Sequence, residues 1–377
     1  MSTTDSTPGA ACTPTAARMS AGTVVTVTGE VPPDALGAVL PHEHLLSDFA
    51  TPGDTAESWT AVGRTRPTAT SRLQLYRAPL AMELLGDIGM GAPNEDNWLL
   101  TDEGLAAEEA TAFKDAGGAT LVDVTTTGLG RHPAGLRRIS ATTGLNIVMG
   151  TGRYHPAWVE TPAALTVESL TEEIVRDLTE GVDGVRAGII GALAALDPEE
   201  PAERAILIAA ARASAITRAA ISVGRCDDAT TQQRVLDLLA EEGADLTRVA
   251  VAHCDPLSPR PDDLEPLLER GVFVQFDQLG RLPSVLSVSD DQDVAAAVLE
   301  LARRGHAGRI LLSQDVHTKS QLLAYGGGGY GFVLAQFVPY LRMLGADDAL
   351  IETVTVRNPR RLLTRRLLTI ANRRTDS

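Results

Sequence analysis

Leu36-Gly37-Ala38-Val39-Leu40-Pro41-His42-Glu43-His44 is a short apolar run that ends in two histidines two residues apart. Strand side chains alternate between faces, so a strand over Ala38–Pro41 sends His42 and His44 out together from its carboxyl end. Two imidazoles on one face are a ready pair of ligands for a divalent metal, and they ask the rest of the chain for a carboxylate.

Outward from this run, seven more stretches share its character: Thr120–Thr125, Asn146–Gly150, Ala187–Gly191, Ala220–Val223, Val249–Ala252, Val272–Phe276 and Ile310–Leu312. They are short, apolar and mostly β-branched, as parallel strands covered on both faces should be. Helical patterns lie between most of them, from Glu103–Ala116 and Pro133–Thr143 through to Asp293–Arg304, and several stop at glycine, as at Gly117 and Gly243. Eight strands separated by helices predict an α/β fold, the (β/α)8 TIM barrel. We expect one barrel domain over 21–365, with an insertion at about 49–100 after the first strand. Residues 1–20 read as a disordered tail of Ser, Thr, Ala and Pro, and 366–377 as a C-terminal tail, with Leu and Arg alternating helically from Arg360 to Arg374.

Composition narrows the function. The 377 residues carry 33 Lys+Arg against 49 Asp+Glu, a net charge of −16, which argues against binding nucleic acid or an anionic membrane. No apolar run approaches the length of roughly 18 residues that a membrane span needs. Cys12, Cys226 and Cys254 show no zinc-finger spacing, and with no secretory leader in view they suggest a reduced, cytoplasmic protein.

A barrel of this kind carries its active site at the carboxyl ends of the strands, and its eighth strand closes beside its first. The polar residues at those ends are His42 and His44; Asp123 and Thr125; Arg153, Tyr154 and His155; His253, Cys254 and Asp255; Asp277 and Gln278; and Ser313, Gln314 and Asp315. Asp315 would lie next to His42 and His44. Two imidazoles and one carboxylate are a facial set that leaves positions open for water or substrate. His253 could be a further ligand or an acid/base group.

The chain resembles the phosphotriesterase-related proteins of the amidohydrolase superfamily, from about Gly37 to Leu363. The resemblance rests on His42-Glu43-His44, Thr120 to Thr125, Gly130-Arg131, Thr143 to Val148, Gly150 to Tyr154, Ala209 to Ala213, Ala252 to Asp255, Phe276-Asp277, Leu312 to Asp315 and Asn358-Pro359-Arg360, in that order. It implies a (β/α)8 metal hydrolase with two metals bridged by a carboxylated lysine or a glutamate from the fourth strand. It further implies that the two first-strand histidines and the eighth-strand aspartate hold the buried metal, while histidines from strands five and six hold the exposed one. His42, His44, His253 and Asp315 match these positions. Gly191 stands where the lysine would fall, Ala192 where the glutamate would, and Gly224 where the fifth-strand histidine would.

Without the bridge nothing anionic offsets two neighbouring dications, so at most one divalent metal is expected, zinc first, on His42, His44 and Asp315. A metal-free pocket is the alternative. Cys226 is a candidate replacement ligand. Arg225 is expected to bring a cation into the space of the absent metal, Tyr154 to contact an oxyanion, and Asp255 to relay protons through His253. His155 and Gln278 are expected to line the substrate pocket, and Gly326 to Gly329 to form a mobile loop over the mouth. Two classes of function follow. One is a metal-dependent hydrolase of a small-molecule ester, lactone, amide or phosphoester. The other is a family member that has left hydrolysis, either a metal-free acid/base catalyst of cyclisation, elimination or isomerisation using His253, Asp315 and Tyr154, or a noncatalytic binding protein. The resembling enzymes are often dimers, so a homodimer is expected.

Overall fold

The computed structural model describes residues 22–159, 166–284 and 287–365. Eight parallel strands form the barrel: β1 (Ala38–Glu43), β2 (Gly118–Asp123), β3 (Asn146–Thr151), β4 (Ile189–Leu193), β5 (Ala220–Gly224), β6 (Val249–Ala252), β7 (Phe273–Phe276) and β8 (Ile310–Leu312). Each pairs with its neighbour in sequence, from β1 round to β8. The first and last meet at their carboxyl ends, where Asp315 N donates to His42 O (3.2 Å) and His44 N donates to Val316 O (3.1 Å).

All eight predicted strands are present. β4 begins two residues later than expected: Ala187 N is engaged by Asp177 O, outside the sheet, and Gly188 N makes the first bond to β3, at Met149 O. Alternation along the strands sorts the core into two layers. Val39, Val122, Val148, Ile189, Ala220, Ala250, Phe273 and Leu311 form one cluster, sealed at the amino-terminal end by Val24, Leu36, Leu362 and Leu363. Their sequence neighbours Leu40, Leu121, Ile147, Ile190, Ile221, Val251, Val274 and Leu312 pack with the helices in the other. Both faces are therefore apolar, which is why the strands read as unbroken hydrophobic runs.

The helices start where the sequence supplies caps. Asp102 precedes α1 (Glu103–Asp115), Thr166 precedes α2 (Val167–Thr179), Asp228 precedes α3 (Ala229–Glu241) and Asp290 precedes α4 (Asp291–Arg303); each accepts a backbone N–H of the first turn. The excursion after β1 has a small core of its own. Trp59, Tyr76 and Trp98 meet edge to face or tilted, and Arg64 lies 3.7 Å above Trp98. Ser47–Asp48 pairs antiparallel with Leu99–Leu100 and closes the excursion at its base.

The closing helix is Asn358–Leu363, and Arg365 then pairs with Thr23 in both directions (3.0 and 2.8 Å). The expected tails 1–20 and 366–377, and most of the helical pattern to Arg374, lie outside the described residues. Among the described residues no helix is long and apolar enough to cross a membrane.

Candidate active site

His42 and His44 emerge from the end of β1, and Asp315 from the turn after β8. His42 Nε2 and His44 Nε2 lie 3.7 and 3.5 Å from Asp315 Oδ1, and the three donor atoms are within 4.8 Å of one another. Two ligands bound to zinc at tetrahedral angles are about 3.4 Å apart. The trio therefore fits one divalent ion. The far nitrogens are braced: His44 Nδ1 is 2.8 Å from Thr125 Oγ1, and His42 Nδ1 is 3.0 Å from Gln275 Nε2 and 3.4 Å from Ser222 Oγ. Such partners fix the ring planes. Ser222 and Gln275 continue the alternation that puts Ala220 and Phe273 inside the barrel.

The turn carrying Asp315 is strained, with φ +46°, a cost of about 1 kcal/mol or more for a residue with a side chain. It is held by Glu43, a fully buried carboxyl between the two histidines. Glu43 Oε1 accepts from Ser313 Oγ (2.7 Å) and Gln314 N (2.8 Å), and Oε2 accepts from Val316 N (2.9 Å). Burial nevertheless pushes Glu43 up to about 8.

Asp315 Oδ2 meets a cation. Arg281 Nη2 donates to it at 2.6 Å, and His317 Nδ1 is 3.3 Å away. Burial alone would raise the Asp315 carboxyl, but His317, His44 and Arg281 hold it well below the usual range. Burial pushes the His42 ring down to about 4, so it is neutral near pH 7.

His253 faces His42 with ring centroids 5.1 Å apart, and its own backbone is strained at φ +60°. Its Nδ1 lies 2.8 Å from Asp277 Oδ1, and its ring is 28% exposed at the mouth. Burial would depress this ring, but Asp277 outweighs burial and raises it to about 9. Asp255 lies behind that pair. Its carboxylate accepts from Asp277 N and Gln278 N, both at 3.0 Å, and burial beside Asp277 raises it to about 7. The carboxylate that meets His253 is thus Asp277, with Asp255 fixing the turn beneath it.

The other sequence candidates spread round the rim. Tyr154 is partly buried among Phe49 (6.0 Å) and Trp158 (5.3 Å), and burial raises its hydroxyl to about 12. His155 Nδ1 accepts from Ala157 N, and its Nε2 lies 3.3 Å from Glu203. Arg225 does not reach towards Asp315: Nε donates to His253 O (3.0 Å) and Nη2 to Asp227 (3.0 Å). Gln278 lies just beyond Asp277 on the same turn.

Cys226 turns its Sγ to Leu196 O at 3.6 Å, and among the described residues neither cysteine joins a ligand cluster. The glycine run is a packed turn: Gly329 N donates to Gln321 O (2.8 Å), and the next residue, Tyr330, donates its hydroxyl to His44 O (2.7 Å). Sequence reasoning missed Arg281, Gln275 and Phe49, left Glu43 and His317 without a role, and read Asp277 as a structural carboxylate of the mouth rather than as the partner of His253.

A side chain at either glycine would meet backbone. A Cβ at Gly191 would lie 2.3 Å from Ser222 O, and one at Gly224 would lie 2.7 Å from Ala195 N. The β5 backbone fills the space at Gly191, and the chain just after β4 fills the space at Gly224. Gly191→Lys is expected to destabilise the protein without adding a second metal, read by thermal denaturation and elemental analysis. A stable variant holding two ions per chain would contradict this.

Residues 22–363 match the model of the phosphotriesterase family. The N-acetyltaurine hydrolases of Xenopus tropicalis and Homo sapiens are each 31% identical over 356 residues, covering 91% of this chain and 98% of theirs. A resiniferatoxin-binding protein from Rhodobacter sphaeroides superposes with TM-score 0.83 at 38% identity, covering 91% of this chain and 95% of its own. A phosphotriesterase homology protein from Escherichia coli, complexed with phosphate in its active site, superposes with TM-score 0.70 at 28% identity, covering 88% and 99%. With its barrel, its mouth residues and a match along nearly all of its described length, this chain belongs to the phosphotriesterase family of hydrolase-type proteins.

Proposed function

We propose that the protein hydrolyses a small-molecule ester, lactone, amide or phosphoester with one divalent ion, zinc first, held by His42, His44 and Asp315. The convergence of those three donor atoms carries this reading. An ion there supplies Lewis acidity for a carbonyl or phosphoryl oxygen. His253, held protonated near neutral pH by Asp277, gives up and regains a proton at Nε2, since its Nδ1 is occupied by Asp277. Tyr154 and Gln278 contact substrate at the rim, while His155 and Arg225 anchor it through Glu203 and the His253 carbonyl. The relatives named N-acetyltaurine hydrolase favour an amide among the four substrate classes. A cytoplasmic setting and a homodimer belong to the same reading; Cys226 and Cys254 are free and buried, which supports a reducing compartment.

Elemental analysis tests it. About one ion per chain is expected, lost in His44→Ala. No metal after incubation with excess zinc would end the hydrolase reading.

One contact favours a second reading, metal-free acid/base chemistry. Gln275 Nε2 is 2.8 Å from Asp277 Oδ2 and 3.0 Å from His42 Nδ1. The carboxylate fixes this amide group as a donor, which leaves the proton of neutral His42 on Nε2, facing Asp315. Gln275→Leu separates the two: metal affinity rises if this tautomer opposes the ion, and stays level if it does not.

A further inference from the structure

Gly191 and Gly224 leave the outer half of the mouth without the donors that would hold a second cation. One positive charge is nevertheless brought there. Arg281 reaches in from the loop after β7 and places Nη2 2.6 Å from Asp315 Oδ2, the oxygen turned away from His42 and His44. It also lies near enough to His253 to oppose that ring's protonation. Its charge thus lies against the carboxylate of the buried trio and within electrostatic reach of His253, the one outer-metal histidine this chain keeps.

The guanidinium is not saturated. Nε of Arg281 is buried and has no hydrogen-bond partner among the described residues. A buried unpaired donor on a charged group is costly, and cheapest to keep where a ligand completes it. The loop is built to hold it. Gly280, at φ +80°, passes so close to Phe332 that a Cβ would lie 2.7 Å from the ring, and Gly280 N is tied to Asp291 Oδ1 at 3.1 Å. The setting needs such a group, because at net charge −16 the protein as a whole repels anions.

We propose that Arg281 takes the electrostatic place of a second metal, binding an anionic oxygen of the substrate (carboxylate, sulfonate or phosphoryl) with donors left free beside Asp315. This rests on the hydrolase reading only for which charge is replaced; the anion site itself stands with or without an ion on His42, His44 and Asp315. Arg suits the task because its fork can hold Asp315 and an oxyanion together, which a lysine does less well.

The test is calorimetric titration with inorganic phosphate of wild type, Arg281→Met and Arg281→Lys, each zinc-loaded and chelator-treated, with metal content measured in parallel. Arg281→Met should weaken phosphate binding at least tenfold in both forms while metal content and thermal midpoint hold, and Arg281→Lys should recover part of the loss. Equal affinity in Arg281→Met, or no phosphate binding by wild type, overturns the proposal. Loss of metal from Arg281→Met overturns it too, since Arg281 would then only orient Asp315. A wild type that holds no metal but loses phosphate binding with Arg281→Met refutes the hydrolase reading and supports this one.

Discussion

Asp315→Ala should release the metal and remove turnover. Asp315 is the sole carboxylate of the trio, and its Oδ1 faces both imidazoles at 3.7 and 3.5 Å. Taking it away leaves two neutral ligands and strands the Arg281 cation nearby, so charge and ligand count fall together. Loss of even an outer partner of a metal site costs roughly 10–100-fold in affinity; loss of this ligand should cost more than 100-fold. Asp315→Asn separates the causes, because it keeps the shape and one acceptor oxygen but not the charge. Elemental analysis with chelator competition reads both. If Asp315→Ala still holds one ion at wild-type affinity, the ion sits on the other group within reach, His42, His253 and Asp277.

The fold was legible because the barrel asks for one simple pattern eight times. Runs such as Val249–Ala252 and Ile310–Leu312 are apolar on both faces, and little else in the chain looks like them. Two strands are displaced: β2 begins and ends two residues earlier than expected, and β4 begins two later, where Ala187 and Gly188 prolong the apolar run. The mouth was legible where residues sit at strand ends, as His42, His44 and Asp315 do. It was illegible where loops supply the chemistry. Arg281, Phe49 and His317 belong to no period, and their importance appears only when the loops fold over the strand ends. Arg225 was read as the cation of the mouth by its place after β5, but its guanidinium is used on the His253 and Cys226 carbonyls. Gly191 and Gly224 read correctly as positions without ligand side chains; that neighbouring backbone has closed on them needed coordinates.

Glu43 sets the largest expected loss of stability. It is 0% exposed, and its two oxygens accept from Ser313 Oγ, Gln314 N and Val316 N. Those bonds bind the end of β1 to the turn after β8, the seam where the barrel closes. They also force the left-handed conformation that aims Asp315 at the histidines. Glu43→Ala leaves the buried Gln314 and Val316 N–H groups unmatched, at about 1–3 kcal/mol for each that water does not reach, while Ser313 Oγ can still donate to His42 O. A loss of roughly 3 kcal/mol or more should lower the thermal midpoint by about 4 °C or more. Glu43→Gln should lose less, since its amide oxygen still accepts while its NH2 opposes one donor. The comparison with Asp315→Ala is decisive under chelation. Without metal, Asp315→Ala should unfold close to wild type, whereas Glu43→Ala should keep its full deficit because the seam itself is broken. Equal midpoints for Glu43→Ala and wild type in chelator would mean that the seam closes without this carboxyl, and that Glu43 matters only through the ion its neighbours hold.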